Sequence, residues 1–315
     1  MPSLRPHLAR LVYSSSRLQQ IRQMSQAKSL RELLRSMQWF LKGLLQSETE
    51  VPTPHGRFRV STLDTAVARD LYINGKFEED ILTRTFSILD QHGFLKDRKV
   101  DVLLDVGANI GVTCISLMEM GLVRHAVAIE PDKLNHRLLV ANIRNNDKTG
   151  RIKDIQSAVS DFEGAAEFEV SATNYGDHRI RMELAHSVRD VYAESTRKVF
   201  KVPAKRLDGI MTELPPEYRS ANTLLWMDVQ GHECRVMDGA SKLLSQGVPT
   251  VMELWPYGIQ RAGVTLQDLH QRLVQNWKIV ANLNSDNRPI PIHEWRSIAD
   301  ELTRPGDYTN LLLLP

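Results

Sequence analysis

The stretch Val100-Asp101-Val102-Leu103-Leu104-Asp105-Val106 runs directly into Gly107-Ala108-Asn109-Ile110-Gly111. A short apolar run, a turn holding two glycines and then an apolar pattern at helical spacing is how a buried parallel strand hands over to a helix. Working outward, similar apolar runs stand at 126–129, 155–159, 224–229, 250–254, 279–283 and 310–314, separated by helical patterns. Seven such runs predict an α/β chain: a doubly wound, mostly parallel, seven-stranded sheet covered by helices on both faces. Residues 165–170 and 199–202 read as further extended segments inside a long insertion. Upstream, Leu33, Leu34, Met37, Leu41, Leu44 and Leu45 recur at helical spacing. The stretch from Val51 to Gly56 breaks that helix, 57–60 reads as a strand, and a further helix ends near Asn74 and Gly75. The expected organisation is a basic, partly helical arm over 1–50, an accessory strand and helix region over 51–95, and a ligand-binding domain over 96–315.

In an open parallel sheet, ligands sit beyond the carboxyl ends of the strands, where strand order reverses. The loop 107–111 lies there. Gly107 and Gly111 allow a tight turn with close backbone approach, and the helix that starts near Gly111 offers free N–H groups. Dinucleotide enzymes use Gly-x-Gly-x-x-Gly, whose middle glycine admits a pyrophosphate. Here Asn109 takes that place and Asp105 sets a carboxylate at the loop mouth, where it repels phosphates. S-adenosylmethionine carries an ammonium and a sulfonium, which the same carboxylate attracts. Glu130, at the end of the second run, is placed to accept both ribose hydroxyls, and Ser160 with Asp161, after the third, to meet an adenine amino group. The expected cofactor is S-adenosylmethionine, held by Asp105, Gly107, Asn109, Gly111, Glu130, Ser160 and Asp161.

Methyl transfer from a sulfonium is an in-line displacement, and an alcohol acceptor must lose its proton. Asp228 ends the fourth run and is the first candidate for the base. His232 is a second candidate, since imidazole titrates near neutrality. Glu233 and Glu253 are placed to orient an acceptor, and Trp255 and Tyr257 to wall it in. Asp228, Glu233 and Glu253 are also oxygen ligands of the type that suits magnesium or calcium, though no metal is assigned. Residues 174–179, dense in polar groups, read as a lid or acceptor loop.

Taken together these segments resemble the FkbM family of methyltransferases. Gly75-Lys76-Phe77-Glu78 is similar to the family's entry segment. It is followed in order by the loop 105–111, Glu130-Pro131, the stretch 158–161, the block Asp228-Val229-Gln230-Gly231-His232-Glu233 with Gly239-Ala240, and the stretch 253–257. The resemblance implies a class I, Rossmann-like fold and O-methylation of a hydroxyl on a sugar or secondary metabolite. It leaves the acceptor and residues 1–74 unassigned. Methylation of RNA or another macromolecule is the alternative, with a non-catalytic cofactor-binding protein behind it.

Hydrophobic residues make up 42% and charged residues 25% of the 315, as in ordinary globular chains, and no apolar run is long enough to span a bilayer. Of the 40 Lys/Arg and 38 Asp/Glu, residues 1–50 hold eight and three, so the rest of the chain is slightly acidic. That balance makes nucleic acid a poor candidate for the main substrate and leaves a small-molecule or glycan hydroxyl as the expected partner. Cys114 and Cys234 each sit in an apolar helical pattern and are expected to be reduced core residues. A cytoplasmic location is expected. The acid-free residues 1–31 also suit a mitochondrial transit peptide, and the helix beginning at Leu30 suits packing on the body or on a second subunit in a homo-oligomer.

Overall fold

The computed structural model of the protein describes residues 15–147, 149–182, 191–192 and 194–315. The first fourteen residues, nearly half of the acid-free stretch that suits a transit peptide, lie outside the described residues. The strands are β1 (Glu48–Thr53), β2 (Gly56–Ser61), β3 (Val100–Val106), β4 (Val123–Ile129), β5 (Ile152–Ile155), β6 (Ala158–Val159), β7 (Gly164–Val170), β8 (Arg179–Ile180), β9 (Lys198–Lys205), β10 (Thr223–Met227), β11 (Thr250–Leu254), β12 (Ile279–Asn282), β13 (Ile290–Pro291) and β14 (Thr309–Leu314). Among the described residues the main sheet has eight strands in the order β13-β12-β14-β11-β10-β3-β4-β5. The five from β11 to β5 are parallel, while β14 runs antiparallel to both β11 and β12. The fold is Rossmann-like and mixed. The eighth strand is β13, whose two residues are too few to show a pattern.

Successive residues of a strand point to opposite faces, and Leu103 and Leu104 show it. Leu103 joins Phe58, Ile115 and Leu139 in one core, and Leu104 joins Leu225, Val236 and Met252 in the other. Cys114 and Cys234 are free thiols, one in each core.

The run 155–159 divides. After Ile155 the chain leaves the main sheet, and Ala158 and Val159 pair with β9 instead. With β7 and β8 they form a second, four-stranded sheet. β5 is an edge strand, so the residues beyond it must satisfy their backbone groups elsewhere.

The helix expected from Leu30 spans Leu30–Leu45, and the stretch 51–56, read as a breaker, holds the end of β1, the turn and the start of β2, which pair in a hairpin. The outer edge of β2 is covered from the helix Lys133–Asn146. Asn142 accepts from Arg59 N at 2.6 Å and donates to Arg59 O at 3.1 Å, and Asn146 does the same for Arg57 at 2.8 and 2.9 Å. The helix Val67–Asn74 ends on Gly75, whose φ of 75° continues into the left-handed cap.

Candidate functional site

Strand order reverses between β3 and β10, so the loops that leave their carboxyl ends meet there. Gly107 has φ of 87°, and a Cβ on it would lie 2.0 Å from the carbonyl oxygen of Asp228. That contact is why glycine is needed: any side chain would drive the two loops apart. A cleft of about 980 Å³, counting its open mouth, lies over these loops. Of the residues expected to form the site, Asp105, Gly107, Asn109, Glu130, Asp228 and His232 line it.

Asn109 stands in the left-handed region at φ 52°, which an asparagine tolerates better than most residues. Its N–H donates to Glu130 Oε2 at 2.8 Å, and its side-chain amide donates to Tyr175 O at 3.1 Å. Glu130 Oε1 accepts from Asp132 N at 2.8 Å. Each carboxylate oxygen keeps a second lone pair for a ligand hydroxyl. Burial pushes the Glu130 pKa up to about 8, against the two backbone donors. Asp105 accepts from Cys114 N at 3.2 Å, and burial lifts its pKa to about 7.

Asp228 is open to solvent at the cleft. The protein packed around the mouth still desolvates it enough, with Asp177 nearby, to push its pKa up to about 6. Gln230 Nε2 donates to Asp228 Oδ1 at 2.6 Å and to Glu253 Oε2 at 3.1 Å, which ties the two carboxylates together. Glu78 also lines the cleft, and burial, then Asp228, raises it to about 7. Its signal was present in the segment 75–78. Tyr175 and His178, from the loop 174–179, line the cleft as well, and so does Asn135, which stands in no local pattern because only the tertiary fold brings it there. Gly176 and Arg179 join them, so part of the loop 174–179 borders the cleft.

Five expected residues do not line it. Gly111 turns the helix Val112–Glu119, and its Cα packs where a Cβ would meet Leu139 at 2.6 Å. Ser160 donates to Asp161 Oδ1 at 3.1 Å, and Asp161 Oδ2 takes Arg235 at 2.9 Å. Arg235 thus holds Asp161 outside the cavity lining. Glu233 is fully buried and accepts from Val229 N and Gly231 N, holding the loop after β10 in shape. Glu253 lies beneath Gln230, and burial with Asp228 drives its pKa well above the carboxylate range. His232 Nε2 contacts Ser160 Oγ at 3.0 Å. With the serine proton committed to Asp161, Nε2 carries the imidazole proton. Burial lowers the His232 pKa to about 4.

Beside the cleft, the insertion docks through a buried ion network. Arg179 donates to Glu169, Asp177 and Glu194 at 2.9, 2.8 and 2.9 Å. Arg197 pairs with Asp177, and Arg261 with Glu169 at 3.3 Å. Trp255 lies under Arg179 and Tyr257 donates to Glu194 at 2.8 Å, so both aromatics belong to this network rather than to the cleft lining. Among the described residues no cluster of His, Cys, Asp and Glu converges in a geometry that would hold a metal ion.

The model of the methyltransferase FkbM domain matches residues 105–277. The chain belongs to the FkbM methyltransferase family. No curated protein matches it. Among solved structures it is similar to a methyltransferase FkbM from Methylobacillus flagellatus KT, at 14% identity and a TM-score of 0.43 over 94% of this chain and 58% of that one. It is also similar to the tRNA m1G37 methyltransferase of M. jannaschii, at 11% identity and a TM-score of 0.39 over 85% of this chain and 56% of that one. The FkbM chain thus spans somewhat more than half the length of each. No helix among its described residues is long and apolar enough to cross a membrane.

Proposed function

We propose that this FkbM-family chain is an S-adenosylmethionine-dependent O-methyltransferase whose acceptor is a hydroxyl on a sugar or small metabolite. The observation that carries the reading is the charge of the cleft. Asp105, Glu130, Asp228 and Glu78 line it, and none has a cationic partner among the described residues. A cleft that concentrates uncompensated carboxylates favours a cationic ligand. The residues present fit the cofactor. Glu130 has free lone pairs for a diol, the buried Asn135 Oδ1 lacks a donor among the described residues, and Ile129, Pro131 and Val159 supply an apolar wall for a flat ring.

When bound, S-adenosylmethionine supplies a methyl group activated by positively charged sulfur. Asp228 takes the acceptor's hydroxyl proton on Oδ2, since Gln230 occupies Oδ1. A base whose pKa is near 6 is ionised at neutral pH yet basic enough to help. His232 is the poorer base, because burial keeps its imidazole weakly basic. Glu233 and Glu253 are positioning residues, the first for the loop and the second through Gln230. Calorimetry with S-adenosylmethionine and with NAD tests the cofactor, and tighter NAD binding overturns it. A screen with radiolabelled donor against glycans, small metabolites and RNA tests the acceptor, with transfer to RNA alone overturning the hydroxyl assignment.

A further inference from the structure

The helix Ser15–Ser25 is built inside out. Its buried side chains are polar: Ser16, Arg17 and Gln20. Arg17 and Gln20 both donate to Thr62 O, at 3.0 and 2.8 Å, Arg17 reaches Gly43 O, and Ser16 donates to Ala172 O at 2.9 Å. Its apolar Leu18 and Ile21 face outward instead. The next helix, Leu30–Leu45, packs through Ser36, Trp39 and Gly43 and turns Leu30, Leu34, Met37, Leu41 and Leu45 to solvent, Leu30 at 71% and Leu45 at 88% exposure. Those five fall at steps of four, three, four and four residues, one continuous stripe along the helix. Seven of the twelve large apolar side chains exposed among the described residues therefore lie on this one hairpin. An apolar surface that size on one element marks an interaction face rather than scatter.

The charge of the face selects its occupant. Arg22, Lys28 and Arg31 are exposed beside the stripe, and residues 1–31 contain six Lys/Arg and no acid. Glu32 is the single acid between Ser15 and Leu45, and it is engaged with Lys28 N and Arg69. A second copy would bring the same positive charge against itself. An apolar stripe flanked by Lys and Arg on a helix lying flat on the body is complementary to an anionic lipid surface. We propose that the helical hairpin over residues 15–45 docks the protein peripherally on membranes that carry anionic headgroups. The stripe enters the headgroup boundary and the basic side chains meet the lipid phosphates.

Co-sedimentation of the full chain with vesicles of phosphatidylcholine alone, or of phosphatidylcholine with phosphatidylglycerol, tests it. The expected result is binding to the anionic vesicles that weakens with added salt. The double variant Leu34→Glu, Leu41→Glu should bind about tenfold or more weakly, because it removes buried apolar area and adds repulsion. Both side chains are exposed, so the variant should melt at the wild-type temperature, which separates docking from misfolding. Absence of binding to anionic vesicles, or equal binding to both kinds, overturns the proposal. So does a dimer in light scattering that the double variant dissolves, which makes the occupant a second copy. Salt-sensitive RNA binding without vesicle binding overturns it as well. Protection of a Leu34→Cys thiol from labelling in the free monomer does the same, by showing that residues 1–14 cover the face.

Discussion

Two groups of carboxylates lie side by side at the carboxyl ends of the sheet, and they are treated in opposite ways. Glu169, Asp177 and Glu194 share Arg179, Arg197 and Arg261, three acids against three cations. Asp105, Glu130, Glu78 and Asp228 face the cleft with no cation among the described residues, and their pKa values rise to about 7, 8, 7 and 6. The first group is balanced internally and fastens the insertion to the body. The second is left in deficit, and the deficit is what a cationic cofactor would fill. Compensated charge builds structure here, and uncompensated charge builds a site.

The comparison breaks most visibly at Asp228. Asp228→Asn should lower kcat by about 10²–10⁴ while leaving calorimetric cofactor affinity within a few-fold, the pattern of a lost general base. Unchanged turnover would remove Asp228 from the chemistry. On the compensated side, Arg179→Met leaves the buried Glu169 and Glu194 and the half-buried Asp177 each short of a partner and should cost about 3–5 kcal/mol in urea unfolding. A loss below 1 kcal/mol would mean that the network is not what fastens the insertion.

Glu130→Gln should weaken S-adenosylmethionine binding by about ten- to a hundredfold through one charged hydrogen-bonding group. The same change sets an amide donor against one of the two backbone N–H groups that Glu130 accepts, a loss that removal of an acid resisting ionisation partly offsets, so unliganded stability at pH 8 should fall by no more than about 1 kcal/mol. A marked loss of unliganded stability would make Glu130 structural.

The smallest effect is in pH. Asp105 and Glu130 have folded pKa values near 7 and 8, well above those of an unfolded chain. Their contribution to stability is present at low pH and is lost as pH rises through those values. The melting temperature of the unliganded protein should therefore fall between pH 6.5 and 8.5. Below 6.5 the neutral His232 pulls the other way, since its folded pKa near 4 costs stability as the unfolded imidazole gains a proton. Saturation with S-adenosylmethionine should flatten the fall and, near pH 7, release a fraction of a proton per site. Calorimetry in buffers of different ionisation heat reads that release, and proton uptake on binding would reverse the electrostatic argument.

How much of this could be read in advance depended on whether the cause was local. β3 and the loop after it were legible because an apolar run, two glycines and a helical pattern are adjacent in sequence, and Asp105, Asn109 and Glu130 followed from them. Glu78 was visible in the stretch 75–78 but carried no chemistry until the fold set it beside Asp228. Ser160 and Asp161 end their strand as read, yet Arg235, 74 residues on, draws the carboxylate away from the cleft. The split of the run 155–159 depended on which strand had room for another partner, and β13 on a pairing two residues long. Each of these is decided by something distant in the chain.

The two asparagines under β2 set a dimension for the whole N-terminal region. Four residues of helix rise about 6 Å and two residues of strand about 6.7 Å, so Asn142 and Asn146 meet Arg57 and Arg59 as the teeth of a rack meet a pinion. A slip by one residue would disengage both pairs at once. The hairpin, and the helices hung on it through Thr62, thus ride at one fixed setting relative to the sheet. Whatever the outer face of those helices touches, the mouth of the cleft is presented to it at a single angle.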